Sequence, residues 1–346
     1  MLFSTQRELT AQPPNNMEKI FRVAVVGCGT IHKNHINGIL LSGNTVCALC
    51  DIDEEKARAS AAELNGAKIY TDYMTMLDTE KPDSVHICTP HYLHAMMCIE
   101  ALKRNINVLC EKPLAINREE LEKIEEAAKN SSATLGVCLQ NRYEPNILKL
   151  KELCEADITG AVGIVAWKRD ADYYASGEWR GKWDTEGGGV MINQALHTLD
   201  LLQWIVGMPK SVTAHIFNDH LKNEIEVEDT ATAIFRTPNG RKFNLFATTA
   251  CGVDFPAQLH VRLEDKTRLY ADNKTILKNG EPVEVEKAEI ALGKAVWGRG
   301  HALLIADFYR CIKEGLPFPI NAAEGGKVIR LILSMYESNG KKTDIC

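Results

Sequence analysis

The segment FRVAVVGCGTIH, residues 21–32, decides the fold. Its first six residues form a largely apolar run that stops at Gly27, a pattern typical of a buried parallel strand. Gly27 permits a tight strand-to-helix turn, and Gly29 lets a phosphate approach the backbone amides at the N-terminus of the next helix. His32 stands where the G-x-G-x-x-G pattern has its third glycine. This departure makes the helix–strand packing less regular but leaves the phosphate-binding geometry in place.

Three features of the neighbouring sequence strengthen this pattern. The glycines follow a strand, they precede a helix, and Asp51 lies 22 residues after Gly29 (51 − 29), at the end of the next strand. A carboxylate at this place accepts hydrogen bonds from the ribose hydroxyls of a dinucleotide and repels a 2′-phosphate. We therefore expect the cofactor NAD, with NADP less favoured. The alternative interpretation is a glycine turn with a helix-capping aspartate.

Strand-like and helix-like segments alternate as far as about residue 141. This alternation predicts an α/β Rossmann fold, with right-handed crossovers and a doubly wound parallel sheet over residues 20–141. Residues 1–19 are polar and lack this periodicity, so we expect a flexible leader there. After the first strand, further strands are predicted at 45–50, 84–88, 108–110 and 134–139, and helices at 34–41, 53–64, 92–104 and 118–129.

The rhythm changes after residue 141. Few helices separate the later strands, which favours an α+β domain over residues 142–346 with an open-faced, mostly antiparallel sheet. We expect this domain to bind the substrate and to mediate oligomerisation. Strands are predicted at 162–167, 211–216, 230–235, 242–248, 258–263 and 267–271, and helices at 144–154, 188–206, 301–314 and 323–338.

Composition excludes several classes of protein. The chain has 346 residues, and its net charge of −6 argues against a nucleic-acid partner. No apolar run approaches the ~18 residues that a membrane span needs. The 11 cysteines are scattered through apolar segments, which indicates reduced thiols and a cytoplasmic protein. Cys47 and Cys50 form a C-x-x-C pair without a second ligand pair, so we predict no metal.

Two further strand ends carry candidate chemistry. Thr89 and Pro90 follow the third predicted strand, where a doubly wound sheet binds its ligands, and we expect them to line the nicotinamide side. Lys112 follows the next strand and is a candidate proton donor, because desolvation or a nearby positive charge lowers the pKa of a lysine. The alternative is a surface lysine in a turn. The Lys112–Pro113 bond is of the kind that tolerates the cis form.

A second cluster lies in the other domain, after three consecutive glycines. Asn193 and His197 are four residues apart and would share one face of a helix. Asp200, three residues beyond His197, is expected to orient its ring. The alternative is a buried histidine that its helix neighbours satisfy.

Taken together, these motifs resemble the Gfo/Idh/MocA oxidoreductase family. The resemblance implies an NAD(P)-binding Rossmann domain joined to an open-faced antiparallel sheet, and a lysine and a histidine that act on a substrate hydroxyl or carbonyl. Many members carry an aspartate where this chain has Asn193, which cannot titrate. The matching elements are Gly27-x-Gly29, Asp51, Thr89-Pro90, Glu111-Lys112-Pro113, the triple glycine with His197-x-x-Asp200, and His301 with Asp307-Phe308.

Three sets of site residues follow. Lys112 and His197 are predicted to be catalytic, as the acid/base groups of which one takes the hydroxyl proton and returns it in the reverse reaction. The predicted cofactor-binding residues are Gly27, Gly29, Thr30, Ile31, Asp51, Thr89, Pro90, His91, His94, Glu111 and Lys112. The predicted substrate-binding residues are Lys112, Arg142, Tyr174, Trp179, Arg180, Asn193 and His197.

The substrate set rests on the chemistry of two segments. Aromatic rings of the loop 170–183 can stack on sugar CH faces, and Arg180 or Lys182 can bind a phosphate or carboxylate. Residues 140–143 join the two domains and are expected to face the cleft. The alternative for the loop is a packed surface segment with solvated charges.

We therefore predict an oxidoreductase that transfers hydride between NAD(H) and a secondary hydroxyl or carbonyl of a sugar, amino sugar, inositol or nucleotide sugar. The alternatives are an NAD-dependent glycosidase and a non-catalytic NAD-binding regulator of the same fold. Retention of both Lys112 and His197 argues against the regulator. By family analogy we expect a homodimer or homotetramer, because one face of an open sheet is otherwise exposed.

Overall fold

The computed structural model describes residues 19–64, 66–154, 157–285 and 299–345. The predicted leader, apart from residue 19, lies outside the described residues. Within these ranges the chain forms two sheets, one of six strands and one of nine. One continuous hydrophobic core runs through both.

The first sheet is parallel, with strand order β3-β2-β1-β4-β5-β6. Three of the helices around this sheet begin at a polar capping residue. Asp53, Asp72 and Asn117 accept hydrogen bonds from backbone amides at the starts of α2, α3 and α5. The elements are β1 (Arg22–Val26), α1 (His32–Leu41), β2 (Thr45–Cys50), α2 (Glu54–Ala61), β3 (Lys68–Tyr70), α3 (Tyr73–Glu80), β4 (Ser84–Ile87), α4 (His94–Lys103), β5 (Asn107–Cys110), α5 (Arg118–Lys129) and β6 (Leu135–Val137).

The prediction of a doubly wound parallel sheet is confirmed, but β3 and α3 were not predicted. β3 has only three residues and sits at the edge of the sheet, where none of its side chains is fully buried. An element that short shows no hydrophobic periodicity. The sheet therefore has one more strand than the sequence pattern indicates.

The second sheet has the order β14-β13-β12-β11-β7-β10-β9-β8-β15. It is antiparallel except between β7 and β10, which run parallel. This agrees with the predicted open, mostly antiparallel sheet. Its elements and neighbouring helices are α6 (Pro145–Leu153), β7 (Ile158–Ala166), α7 (Ala171–Ala175), α8 (Leu196–Val206), β8 (Ser211–Phe217), β9 (Thr230–Arg236), β10 (Lys242–Thr248), β11 (Gln258–Leu263), β12 (Arg268–Ala271), β13 (Ile276–Lys278), β14 (Glu281–Pro282), α9 (Gly300–Glu314), α10 (Ala322–Ser338) and β15 (Thr343–Asp344).

The predicted helix 188–206 is not continuous. Gly187 and Gly188 have φ of 84° and 145°, which no helix accommodates. A wide π-type turn, Val190–Gln194, follows, in which the Ala195 amide bonds to the Val190 carbonyl, and α8 begins only at Leu196. Asn193 and His197 therefore lie on different segments rather than on one regular helix.

The last two helices pack against the first sheet although they belong to the C-terminal half. A Cβ on Gly38 of α1 would lie 2.4 Å from Ile305 Cδ1 of α9, so only glycine allows this approach. The Tyr309 hydroxyl of α9 lies 2.9 Å from His86 Nε2 of β4. The two sheets are thus joined by packing as well as by the chain. The domain division at 141/142 stays a prediction.

Candidate active site

The glycine turn after β1 has the shape that a dinucleotide phosphate requires. Gly27 has φ of 86°, and a Cβ on it would lie 2.6 Å from the carbonyl carbon of Cys88. Gly29 is exposed, and a Cβ there would meet nothing within 4 Å. The chain thus leaves open space beside Gly29 at the start of α1, and the exposed Thr30 borders it.

Asp51 ties the end of β2 to this turn. One carboxylate oxygen accepts from the Cys28 amide at 2.7 Å and the other from the Asp53 amide at 2.9 Å. Asp51 is only half-buried, and each of its oxygens has a second lone pair. Its place and chemistry fit the ribose of a dinucleotide.

His32 replaces the third glycine of the pattern without opening the turn. The imidazole is buried, its Nδ1 bonds to the Gly29 carbonyl, and its Nε2 lies 2.8 Å from Ser60 Oγ of α2. The histidine thus links the turn to the neighbouring helix. The residues around the turn fit NAD.

Lys112 reaches from the first sheet to the second domain. It follows β5, and the Lys112–Pro113 bond is cis. Its ammonium donates to the Asn193 carbonyl at 3.0 Å and lies 3.4 Å from Asn193 Oδ1. Burial lowers the pKa of Lys112, while the carboxylates of Glu111 and Glu186 act in the opposite direction.

His197 lies beside the same ammonium. Burial and the positive charge of Lys112 lower its pKa to about 3, so the ring is neutral at physiological pH. The Gln140 amide nitrogen lies 3.2 Å from His197 Nε2. With the Gln140 amide nitrogen towards the ring, Nε2 is the acceptor and Nδ1 carries the proton. Among the residues that the structure describes, this Nδ1–H has no hydrogen-bond partner.

The Glu111 carboxylate is buried and contacts two imidazoles. Its Oε1 lies 2.9 Å from His35 Nε2 and 3.3 Å from His301 Nε2. Burial opposes the charged form, yet the two imidazoles hold the pKa of Glu111 well below its usual range. The side chain of Glu111 is thus engaged within the protein, and its contact with the cofactor stays a prediction.

Cys138 adjoins this group, and one ligand atom each of His35, Glu111, Cys138 and His301 lies within 4.8 Å of the others. The His35 imidazole makes a hydrogen bond to Glu111 Oε1, and His301 Nε2 lies 3.3 Å from the same oxygen without a hydrogen bond. The absence of a metal stays a prediction. Cys47 and Cys50 are free thiols in β2.

His94 was predicted to bind the cofactor, and this stays a prediction. The ring is fully buried, with Nδ1 2.7 Å from the Pro113 carbonyl oxygen and Nε2 2.9 Å from that of Thr89. Its polar atoms are thus used within the protein, where it joins the loops that follow β4 and β5. His91 is also buried, and its Nδ1 donates to the Glu186 carbonyl at 2.8 Å.

Arg142 and Asp200 form a buried pair, which overturns the prediction that Asp200 orients the His197 ring, whereas substrate binding by Arg142 stays a prediction. The Arg142 guanidinium donates to both Asp200 oxygens, at 2.7 and 2.5 Å, and to Glu324 at 2.9 Å. Arg142 is 5% exposed, so its charge is directed into the protein. Asp200 bonds to Arg142 and Gln203, and does not orient the His197 ring.

The loop before the three glycines at 187–189 brings Tyr173 to the site rather than Tyr174. Tyr174 is buried in a small apolar cluster with Leu221, Ile225 and Val227. The Tyr173 hydroxyl accepts from Arg180 at 2.8 Å and lies 3.3 Å from Asn193 Nδ2. Adjacent tyrosines give the sequence pattern no means of deciding which one faces the site.

Arg180 and Trp179 lie at the same place. The guanidinium carbon of Arg180 is 4.4 Å from the centre of the Trp179 ring and 4.6 Å from that of Tyr173. The Trp179 ring contacts the His91 ring, with 4.6 Å between centroids. The structure thus brings Lys112, Asn193, Trp179 and Arg180 to one region, and their contacts with a substrate stay predictions.

The sequence has known relatives that agree with this geometry. Residues 21–139 match the model of an oxidoreductase family with an NAD-binding Rossmann fold, and residues 147–276 match the GFO/IDH/MocA C-terminal domain. The fold and site therefore define an NAD-dependent oxidoreductase. The chain belongs to the Gfo/Idh/MocA family.

Characterised relatives cover almost the whole chain. The D-glucoside 3-dehydrogenase of Escherichia coli K12 is 26% identical over 92% of this chain and 95% of its own length. The myo-inositol 2-dehydrogenase of Thermotoga maritima is 22% identical over 90% and 93%.

Solved structures share the fold. The WlbA dehydrogenase of Bordetella pertussis, in complex with NADH and UDP-GlcNAcA, is 27% identical, with a TM-score of 0.83 over 95% of this chain and 99% of that one. Levoglucosan dehydrogenase, in complex with NADH, has a TM-score of 0.84 at 20% identity over 95% and 100%, a likeness of fold. Among the described residues, no helix is long and apolar enough to cross a membrane.

Proposed function

We propose that this protein transfers hydride between NAD(H) and a secondary hydroxyl or carbonyl of a sugar, amino sugar, inositol or nucleotide sugar. One observation carries the proposal: the Lys112 ammonium, at a strand end of the NAD-binding sheet, bonds to Asn193 in the turn that precedes His197. The activities named for the relatives, on a glucoside and on inositol, and the UDP-sugar bound to WlbA support this substrate class.

The glycine turn and Asp51 would hold NAD, with Thr30 and Thr89 beside it. When bound, the nicotinamide accepts or supplies the hydride. Gly29 leaves its amide region open to the pyrophosphate, and the Asp51 carboxylate accepts from ribose hydroxyls. The same carboxylate disfavours the extra phosphate of NADP.

Lys112 is the proposed base. An alcohol that loses hydride must also lose its hydroxyl proton, so a group with a suitable pKa must lie within hydrogen-bond reach. Burial lowers the pKa of Lys112, which increases the fraction of neutral amine at physiological pH. In the reverse direction the ammonium returns the proton to the developing alkoxide.

His197 is proposed to hold the substrate oxygen as a neutral imidazole. With a pKa of about 3, it has no proton to release as an imidazolium near pH 7. Its Nδ1–H is a buried donor without a partner among the described residues, and a substrate oxygen would satisfy it. Asn193 and Trp179 are proposed to contact the remaining hydroxyls and a sugar face. We also propose that the protein is cytoplasmic, because the ten cysteines of the described residues are free thiols.

The proposal is tested by NAD reduction, followed by absorbance at 340 nm, with a panel of inositols, glucosides and nucleotide sugars. Lys112→Ala should reduce kcat by about 10²-fold or more, because the base is removed, while the affinity for NAD is retained. Lys103→Ala is the matched control, since Lys103 lies exposed on α4 and pairs only with Glu100 among described contacts. Its kcat should equal that of the parent.

Two results would contradict the proposal. Unchanged turnover in Lys112→Ala would remove the lysine from the reaction. If the protein binds NAD tightly but no polyol reduces it, the non-catalytic regulator is favoured. If nitrophenol is released from nitrophenyl glycosides without net reduction of NAD, the glycosidase is favoured.

A further inference from the structure

A buried carboxylate that the proposed reaction does not use lies next to the site. Glu186 directly precedes the three glycines at 187–189, and its side chain is fully buried. One oxygen accepts from the Gly181 amide at 2.6 Å, and the other accepts from Asn193 Nδ2. Arg180 lies 3.9 Å away. A buried ionisable group is costly unless its partners satisfy it, so this arrangement invites a functional explanation.

Glu186 fixes the orientation of the Asn193 amide. A carboxylate can only accept hydrogen bonds, so the NH₂ group of Asn193 must face Glu186. The amide oxygen is then directed to the other side, where it lies 3.4 Å from the Lys112 ammonium. The three side chains thus form a chain from carboxylate through amide to ammonium.

Glu186 is one of two carboxylates that act on Lys112. The charged or titratable groups facing this lysine are Glu111, Glu186, Arg180, Cys138, His91 and His197. Glu111 is already bound to His35 and His301. Burial raises the pKa of Glu186, and hydrogen bonds from Gly181 and Asn193 oppose this rise.

We propose that Glu186 is a positioning residue for Lys112. It orients the Asn193 amide by a hydrogen bond, and its carboxylate supplies a negative charge that Asn193 does not carry. The proposal rests on the proposed function for its relevance to turnover, but its geometry does not. Asn193 transmits the orientation and Glu186 provides the charge. Lys112 is thereby held towards the second domain, where a substrate hydroxyl would meet it.

The test measures the protonation of Lys112 without cofactor or substrate. Competitive labelling with acetic anhydride over a pH series, followed by peptide mass spectrometry, gives the pH at which Lys112 is half reactive. In Glu186→Gln we expect this midpoint to fall by about one pH unit, because a nearby negative charge is removed. In Glu186→Gln with Asn193→Asp the midpoint should return to the parent value or above it.

Glu228→Gln is the matched control. Glu228 is also a buried carboxylate, and it lies at the glycines 187–189. It accepts from the Gly189 and Met191 amides and from the Tyr336 hydroxyl, and it has no hydrogen bond with Asn193 among the described contacts. Glutamine retains the shape of this side chain and an oxygen that can accept from the turn, so in folded protein the Lys112 midpoint should stay unchanged. A midpoint that is the same in Glu186→Gln and in the parent, in folded protein, would overturn the proposal.

Turnover supplies the second readout. In Glu186→Gln the pH at which kcat rises should fall together with the labelling midpoint, and Asn193→Asp should restore it; a purely structural role would reduce kcat without moving the profile. If Glu186→Gln does not fold, Glu186→Asp is the second variant, because it retains the charge. Its labelling midpoint should stay within a few tenths of a pH unit of the parent value. A fall of about one pH unit in Glu186→Asp would contradict the proposal. A labelling shift without any dehydrogenase activity would reject the proposed function alone.

Discussion

Gly27 and Gly29 are two residues apart but need glycine for different reasons. At Gly27 the backbone has φ of 86°, and an added Cβ would overlap the chain at Cys88. At Gly29 the protein leaves the space empty, so only a ligand would use it. The first glycine is required by the fold and the second by what binds there.

This difference predicts opposite results for two alanine variants. Gly27→Ala should lower the free energy of unfolding by at least about 1–2 kcal/mol, because positive φ and close contact both oppose a side chain. Gly29→Ala should retain the parent's stability but bind NAD at least about tenfold more weakly. Urea denaturation and calorimetric NAD titration measure the two effects. If Gly27→Ala kept the parent's stability and lost as much NAD affinity as Gly29→Ala, the conclusion that the fold requires Gly27 would be contradicted.

At the scale of elements, the turn Val190–Gln194 is held by a buried carboxylate. Glu228 accepts from the amides of Gly189 and Met191 at 2.9 and 3.0 Å, and from the Tyr336 hydroxyl at 3.0 Å. Burial raises its pKa to about 7 although these hydrogen bonds act against the rise. The turn that carries Asn193 therefore rests on a group that titrates near neutral pH.

The raised pKa of Glu228 predicts how stability depends on pH. Between its ordinary pKa and about 7, the folded protein binds this proton more tightly than the unfolded chain, so its contribution is present in acid and is lost as pH rises through 7. The contribution is on the order of 3 kcal/mol. Urea denaturation at pH 5 and pH 8 should show it, and Glu228→Gln should remove most of the difference. An unchanged difference in that variant would assign the pH dependence to another group.

At the scale of the whole molecule, one face of the nine-stranded sheet carries exposed apolar side chains. Phe217, Ile234 and Phe246 lie on the adjacent strands β8, β9 and β10 and are 43%, 42% and 40% exposed. The opposite face of the same strands is buried, as their alternating pattern requires. Large apolar groups on neighbouring strands favour association with another surface.

We expect this face to form the contact of the predicted homodimer or homotetramer. Phe246→Glu should shift the protein to a smaller species in size-exclusion chromatography with light scattering, because a charge would be buried without a partner. Met96→Glu is the control, since Met96 is a comparably exposed side chain on α4 of the other domain. A protein that is monomeric before substitution, or an assembly that Phe246→Glu leaves intact, would contradict this expectation.

Local sequence patterns predicted much of the architecture. The bounds of β2, β10 and β11 coincide with the predicted segments 45–50, 242–248 and 258–263. The patterns missed β3, because three residues show no period, and they joined the π-type turn to α8, because apolar residues continue through both. Periodicity indicates burial along an element but does not show where its hydrogen-bond pattern changes.

The sequence by itself determined the glycine turn after β1, the alternation of strands and helices in the first domain apart from β3 and α3, and the positions of Asp51 and Lys112 at strand ends. Those features depend on backbone dihedral angles and on periods of a few residues. Only the tertiary structure decided which buried polar groups became partners. Arg142 bonds to Asp200 across 58 residues, and Lys112 to Asn193 across 81. A buried charge takes the partner that packing brings to it, and that choice depends on which surfaces meet rather than on neighbours along the chain.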